Sequence, residues 1–245
     1  MPGVRLRSAP IDTLIVDDLT FAVRWSRRRR TIGLTVGLDG ALRVLAPAGV
    51  PARKLEGVVR AKLPWVRRKL AEFEALGPPP APKRFVDGER LPYLGRTHEL
   101  ALVDHAGGAG APFALRRGRF ELIRRLDGEA RAAAVAWYTA RARALIEAGV
   151  ERYAPIVGAS PEKVIVRDLG KRRWGVCDSR TRTVSFHWEL VLLSPDLIDY
   201  VVVHELTHLH EPNHGPGFWR RVERIMPDWR ARRKRLAARG PRQVV

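Results

Sequence analysis

The sequence predicts an α+β protein: a strand-rich N-terminal region, residues 1–125, followed by a second half, residues 126–245, that joins a small antiparallel sheet to a buried helix carrying H-E-x-x-H. Three observations lead there. Residues 20–46 and 84–125 alternate apolar and polar side chains with the period of strands. Asp127–Tyr153 and Ser194–Leu209 instead repeat their apolar positions at helical spacing. The stiff run Gly77-Pro-Pro-Pro-Ala-Pro82 marks a break between a helix and the strands that follow.

In order along the chain, T-F-A-V-R-W from Thr20, T-I-G-L-T-V from Thr31 and A-L-R-V-L-A from Ala41 read as strands of a small antiparallel sheet, with Asp39-Gly40 as a hairpin turn. Ser26–Arg30, S-R-R-R-R, reads as a solvated turn rather than a phosphate clamp. Residues 52–76 form a helical hairpin-like segment, with Leu55, Val58, Val59, Leu63, Val66, Leu70 and Phe73 near helical spacing and a kink or break around Pro64. Arg84–Arg125 returns to strands, with a turn at Asp87-Gly88 and a flexible G-G-A-G at Gly107–Gly110. His98-Glu99 there is a decoy, because Leu102 occupies the position where a second histidine would share a helix face. The second half opens on the Ala-rich helix. It continues through strands K-V-I-V-R-D-L from Lys163 and R-T-V-S-F-H-W from Arg182, connected by K-R-R-W-G-V-C-D-S.

The chemistry concentrates in Ser194–Trp219. Ser194 can cap a helix, Pro195 suits its first position, and Asp196 complements its positive end. On that helix His204 and His208 stand one turn apart and project from one face, so they can grip a single metal ion. Glu205, beside the first of them, is placed to act on water at the metal as a general base, the arrangement of H-E-x-x-H zinc hydrolases. A catalytic Zn²⁺ takes three protein ligands. Pro212 stops the helix and lets His214 return to the metal as the third, with Glu211 and Glu223 as alternatives; His210 faces the wrong side. His187, Arg173, Tyr200 and Asn213 are candidates to bind substrate or the oxyanion.

The net charge of +19 would draw nucleic acid to a basic surface, although most of the basic residues are Arg and biased codon usage explains the excess equally well. One cysteine, Cys177, excludes an intrachain disulfide and suits a reducing cytoplasm. Asp12, Asp17 and Asp18 interrupt the N-terminal apolar residues, so neither a secretory signal nor a membrane span is expected.

The succession R-R-W-G-V-C, F-H-W-E-L, D-Y-V-V-V-H-E-L-T-H-L, N-H-G-P-G-F-W and M-P-D-W resembles the YgjP-like zinc metallopeptidases, relatives of the SprT-like proteins, with Y-L-G at Tyr93–Gly95 extending the likeness into the first half. The resemblance implies a zincin-like catalytic domain, His204, His208 and His214 as zinc ligands and Glu205 as the catalytic acid/base, acting on a protein or peptide. Val176 departs from the Ser usual in W-G-S-C, and His187 stands where Asn is common. The other readings in view are a zinc hydrolase acting on a non-peptide substrate such as a nucleotide, and a DNA-associated protease of the SprT/Spartan type.

Overall fold

The structure, a computed structural model, describes residues 12–37, 40–75, 81–105, 110–124, 128–170 and 173–239. The chain forms two compact units, Met1–Pro79 and Pro80–Val245. The expected boundary at 125/126 therefore moves to the Pro-rich run, of which only residues 81 and 82 are described.

In the first unit β1 (Thr13–Val16), β2 (Leu19–Ser26), β3 (Gly33–Val36) and β4 (Leu42–Pro47) form a sheet in the order β1-β2-β4-β3. Strand β1 adds to the three that alternation predicts, and the sheet is mixed rather than antiparallel, because β2 and β4 run parallel with β3 paired outside β4. Of the β3–β4 hairpin turn, Asp39 lies outside the described residues. The expected hairpin-like break at Pro64 is absent: α1 (Ala52–Ala75) is one continuous helix with Pro64 on its exposed side. Pro64 forfeits a hydrogen bond. Leu55, Val59, Leu63 and Val66, in one core with Phe21, Val23, Leu42 and Val44, keep the apolar stripe unbroken across it.

The second unit starts with the sheet β5-β6-β8-β7, from β5 (Arg90–Tyr93), β6 (Arg96–Val103), β7 (Phe113–Arg116) and β8 (Arg119–Ile123). Gly107–Ala109, Arg125 and Asp127 lie outside the described residues. The sheet belongs with the second half because its inner face shares a core with α2 (Ala130–Val157). Phe113 and Phe120 stack at 4.9 Å, Trp137 meets Phe120 edge-on at 5.2 Å, and buried Tyr138 donates its hydroxyl to the Pro92 carbonyl at 2.8 Å. Such aromatic pairs contribute about 0.5–1.5 kcal/mol each beyond the area they bury, which is why the unit extends back past residue 125.

The second sheet, β10-β11-β9, is built from β9 (Lys163–Arg167), β10 (Gly175–Asp178) and β11 (Thr183–His187). It too is mixed rather than antiparallel. The chain leaves β9 and crosses to the far side before entering β10, so that β11 returns between them, parallel to β9 and antiparallel to β10. Strand β10 arises where only a connection is expected, and Lys171 and Arg172 lie outside the described residues. A 3-10 turn, Trp188–Leu192, leads into α3 (Pro195–Thr207), followed by α4 (Pro216–Ile225) and α5 (Trp229–Arg239). No helix among the described residues is long and apolar enough to cross a membrane.

The β5–β6 turn braces the start of α3. Leu94 and Gly95 donate backbone N–H groups to the carbonyls of Val191 and Leu192 at 2.9 and 3.2 Å. Gly95 has φ +77°, and a Cβ there would meet the Ser194 backbone at 3.0 Å. Gly88, with φ +79°, has nothing within 4 Å of an added Cβ. Both Gly→Ala substitutions incur backbone strain of about 1–3 kcal/mol, and Gly95→Ala adds the collision. Urea unfolding of the two variants should show the larger loss for Gly95→Ala; equal losses would mean that the turn does not support α3.

Candidate metal centre

Helix α3 begins at Pro195 with Asp196 in its first turn, although Ser194, at the capping position, makes no side-chain cap bond. Leu197, Ile198, Val201, Val202, Val203 and Leu206 are buried around nearly its whole circumference, so the helix runs through the core. It ends at Thr207, whose hydroxyl donates to the Val203 carbonyl at 2.7 Å. His208 is the C-terminal cap, still at φ −64° and ψ −16°, and so remains one turn beyond His204. Pro212 then prevents continuation, and the chain returns through His214 to α4.

His204, His208 and His214 each offer a nitrogen within 4.8 Å of the other two. Their ring centres lie 4.6–5.0 Å apart. Phe218, fully buried, touches all three at 4.6–4.9 Å and acts as a common floor. His208 Nδ1 donates to the Glu211 carbonyl at 2.9 Å, which fixes its tautomer and leaves the Nε2 lone pair free. Nε2 of His204 and Nε2 of His214 approach to 2.8 Å. Two imidazole lone pairs aimed at one point repel unless a proton or a cation lies between them. Burial, then the neighbouring His208 and His214, pushes His204 down to about 3, and His214 is lowered for the same first reason. These two stay neutral, as metal ligands must. A cluster of three imidazoles, two half-buried and His214 exposed, with converging lone pairs fits a divalent ion of the zinc class.

Glu205 lies at 6% exposure and pairs with no cation among the described residues; burial pushes its carboxyl up to about 8. Strand β10 passes directly over it. A Cβ on Gly175 would come within 2.5 Å of Glu205 Cγ and 2.6 Å of Oε1, so the carboxylate occupies the space a side chain would take. Sequence alone gives Trp174–Cys177 as part of a connection, and so misses this contact. The signal available is the glycine amid residues of high strand propensity, a mark of close backbone approach. Two residues on, burial and then Glu205 push the Cys177 thiol up to about 11, so it stays protonated.

The remaining candidates separate. His210 bonds the Val157 carbonyl, away from the cluster, while Glu211 faces Arg221 and Glu223 pairs with Arg230. His187 is fully buried with both nitrogens engaged, Nε2 with Asp168 at 3.1 Å and Nδ1 accepting from the Glu189 N–H at 3.0 Å. It therefore anchors the β9–β10 crossover. Tyr200 is 2% exposed, with its ring 5.8 Å from that of His204, and burial pushes its phenol up to about 12. Asn213 and Arg173 are exposed. Several of the arginines are paired locally: Arg116 with Glu121, Arg124 with Asp104, Arg232 with Asp228 and Arg235 with Asp196.

The sequence matches the YgjP-like metallopeptidase domain over residues 30–239. No curated protein matches it. Among solved structures, the metallopeptidase zymogen of Pyrococcus abyssi abylysin is similar at 24% identity, over 37% of this chain and 90% of that one, with a TM-score of 0.34.

The contact between Gly175 and Glu205 makes a double-mutant prediction. In metal-free protein Gly175→Ala should destabilise by about 1–3 kcal/mol through overpacking, whereas in a Glu205→Ala background, where the space is open, the same change should cost distinctly less. Chemical denaturation of the four proteins measures the coupling. Strict additivity would mean the two residues do not touch.

Proposed function

The chain belongs to the YgjP-like metallopeptidase domain family, and from that premise we propose that it is a zinc-dependent peptidase in which His204, His208 and His214 hold one Zn²⁺ and Glu205 is the general base. The observation that carries this reading is the convergence of three imidazole nitrogens next to a buried carboxylate with no counter-ion among the described residues. When bound, zinc supplies Lewis acidity, polarising the scissile carbonyl and lowering the pKa of water to about 7.

The chain's own residues do the rest. The Glu205 carboxylate accepts a proton from the attacking water as its oxygen bonds to the carbonyl carbon. It then passes that proton to the departing amine as the C–N bond breaks. A cation at the three imidazoles favours the ionised carboxylate, opposing the burial that raises Glu205. His208 is held by the Glu211 carbonyl, and Phe218 fixes all three ring planes, so the ligands need little rearrangement. Strand β10 is an edge strand, and no strand among the described residues pairs with its outer side. An extended peptide can add there as a further strand, with its carbonyl brought past Gly175 towards Glu205. Arg173 and Asn213, both exposed, are the side chains best able to meet the oxyanion; buried His187 serves by holding the crossover in place.

Elemental analysis of protein purified without added metal should find one zinc per chain, released as pH falls because protonated imidazole cannot bind it. His204→Ala, His208→Ala and His214→Ala should each lose it, and His210→Ala should keep it. Full zinc in His214→Ala would transfer the third position to Glu211 or Glu223.

Glu205→Gln should retain zinc and fold while turnover of an unfolded protein such as casein drops about 10²–10⁴-fold. Equal rates at matched zinc content would remove Glu205 from the mechanism. Cleavage of nucleotides but not of protein would replace the peptidase by another zinc hydrolase.

A further inference from the structure

Helix α5 carries a dense run of basic residues, and most of its arginines have local carboxylate partners. Arg230 pairs with Glu223, Arg232 with Asp228, and Arg235 with Asp196. Arg233 differs. It is exposed, has no ion pair among the described residues, and holds its guanidinium carbon 4.9 Å from the centre of the Trp219 ring. That ring is itself fixed: it stacks on Trp229, one helical turn before Arg233, at 4.1 Å with planes 14° apart. It also stacks on His214, with ring centres 5.6 Å apart and planes at 25°. The sequence thus places a cation behind the aromatic residue that abuts a candidate metal ligand.

A guanidinium stacked on a ring keeps its edge available for a bidentate partner, and the group of that geometry that a peptide carries is a carboxylate. Arg233 and His214 share the Trp219 ring at 4.9 and 5.6 Å, so the guanidinium stands within about three residues of an extended peptide, which rises about 3.3 Å per residue, from the candidate ligand. That range takes in an anionic group of the substrate near the scissile bond. We propose that Arg233 is a specificity residue that binds a substrate carboxylate, either an Asp or Glu side chain or the free C-terminus, beside the peptide bond to be cut. The proposal rests on the peptidase reading of the centre and names the class of peptide that it takes.

The test uses zinc-loaded full-length protein and a family of peptides identical except for Glu against Gln at each position flanking the cleaved bond, each with a C-terminal acid or amide. The wild type should favour the acidic members. Arg233→Gln should lose about tenfold or more of kcat/KM on them, chiefly through KM, since a charge-assisted hydrogen bond disappears, while neutral peptides keep their rates. Arg233→Lys should recover part of the preference. Loss confined to the free-acid series identifies the C-terminus as the source, and loss confined to the Glu series identifies a side chain. A second readout needs no turnover: in zinc-loaded Glu205→Gln protein, calorimetry should show a dipeptide acid binding more weakly once Arg233→Gln is added, and its amide binding unchanged. If the wild type cleaves no peptide, the peptidase reading fails, and the calorimetric arm still decides Arg233. Equal losses on acidic and neutral peptides, or carboxylate binding indifferent to Arg233→Gln, would overturn the assignment.

Discussion

A carboxyl group held in an apolar interior is costly to ionise, and the second unit is built around one that pairs with no cation among the described residues. Glu205 sits on a helix buried on nearly all sides, beneath a strand whose only concession to it is the missing side chain at Gly175. Everything near it has to be rigid, because any loosening would let water in or let the carboxyl find another partner. The long α2, the 3-10 turn and the sheet from Arg90 to Ile123 share a continuous core with α3 and supply that rigidity. The N-terminal strands of this unit are therefore structural support for the centre, not an appendage to it.

The same economy shapes the imidazoles. Phe218 contacts all three rings, and Trp219 and Trp229 stack beyond it, so an aromatic layer rather than a hydrogen-bond network sets most of the ring orientations. Apolar support keeps the dielectric low and His204 and His214 neutral, the state in which an imidazole can donate a lone pair to a metal. A ring brought in from α4 also ties the third histidine to the first two across the turn at Pro212.

The elements legible in the sequence are those with a long, regular signature. Helix α3 declares itself through Pro195, Asp196 and its apolar circumference, and the four-residue spacing of His204 and His208 is by itself enough to put both on one face. The strands around Phe21, Leu42 and Phe120 follow from alternation. What stays hidden depends on contacts between distant residues. Strand β10 has only four residues and is defined by its pairing with β11, so its one local mark is Gly175 amid residues of high strand propensity. The unit boundary is misplaced by sequence alone because the aromatic packing of Phe113, Phe120, Trp137 and Tyr138 joins the strands before residue 125 to the helix after it. Pro64 reads as a break because the local rule is strong, and tertiary packing along Leu55–Val66 overrides it.

The short β10 has one further implication. An unpaired strand edge does not distinguish a substrate from a second copy of its own chain, and long apolar edges drive proteins to self-associate. Here the run without an outer partner among the described strands is four residues, Gly-Val-Cys-Asp, half-buried until it closes on an exposed acid that caps the following turn by accepting from the N–H groups of Arg180 and Thr181. That length supports only a few main-chain hydrogen bonds, too few for a lasting intermolecular sheet. As a docking edge for the proposed peptide, β10 thus favours brief occupancy over capture, and the same shortness limits fibril-like stacking.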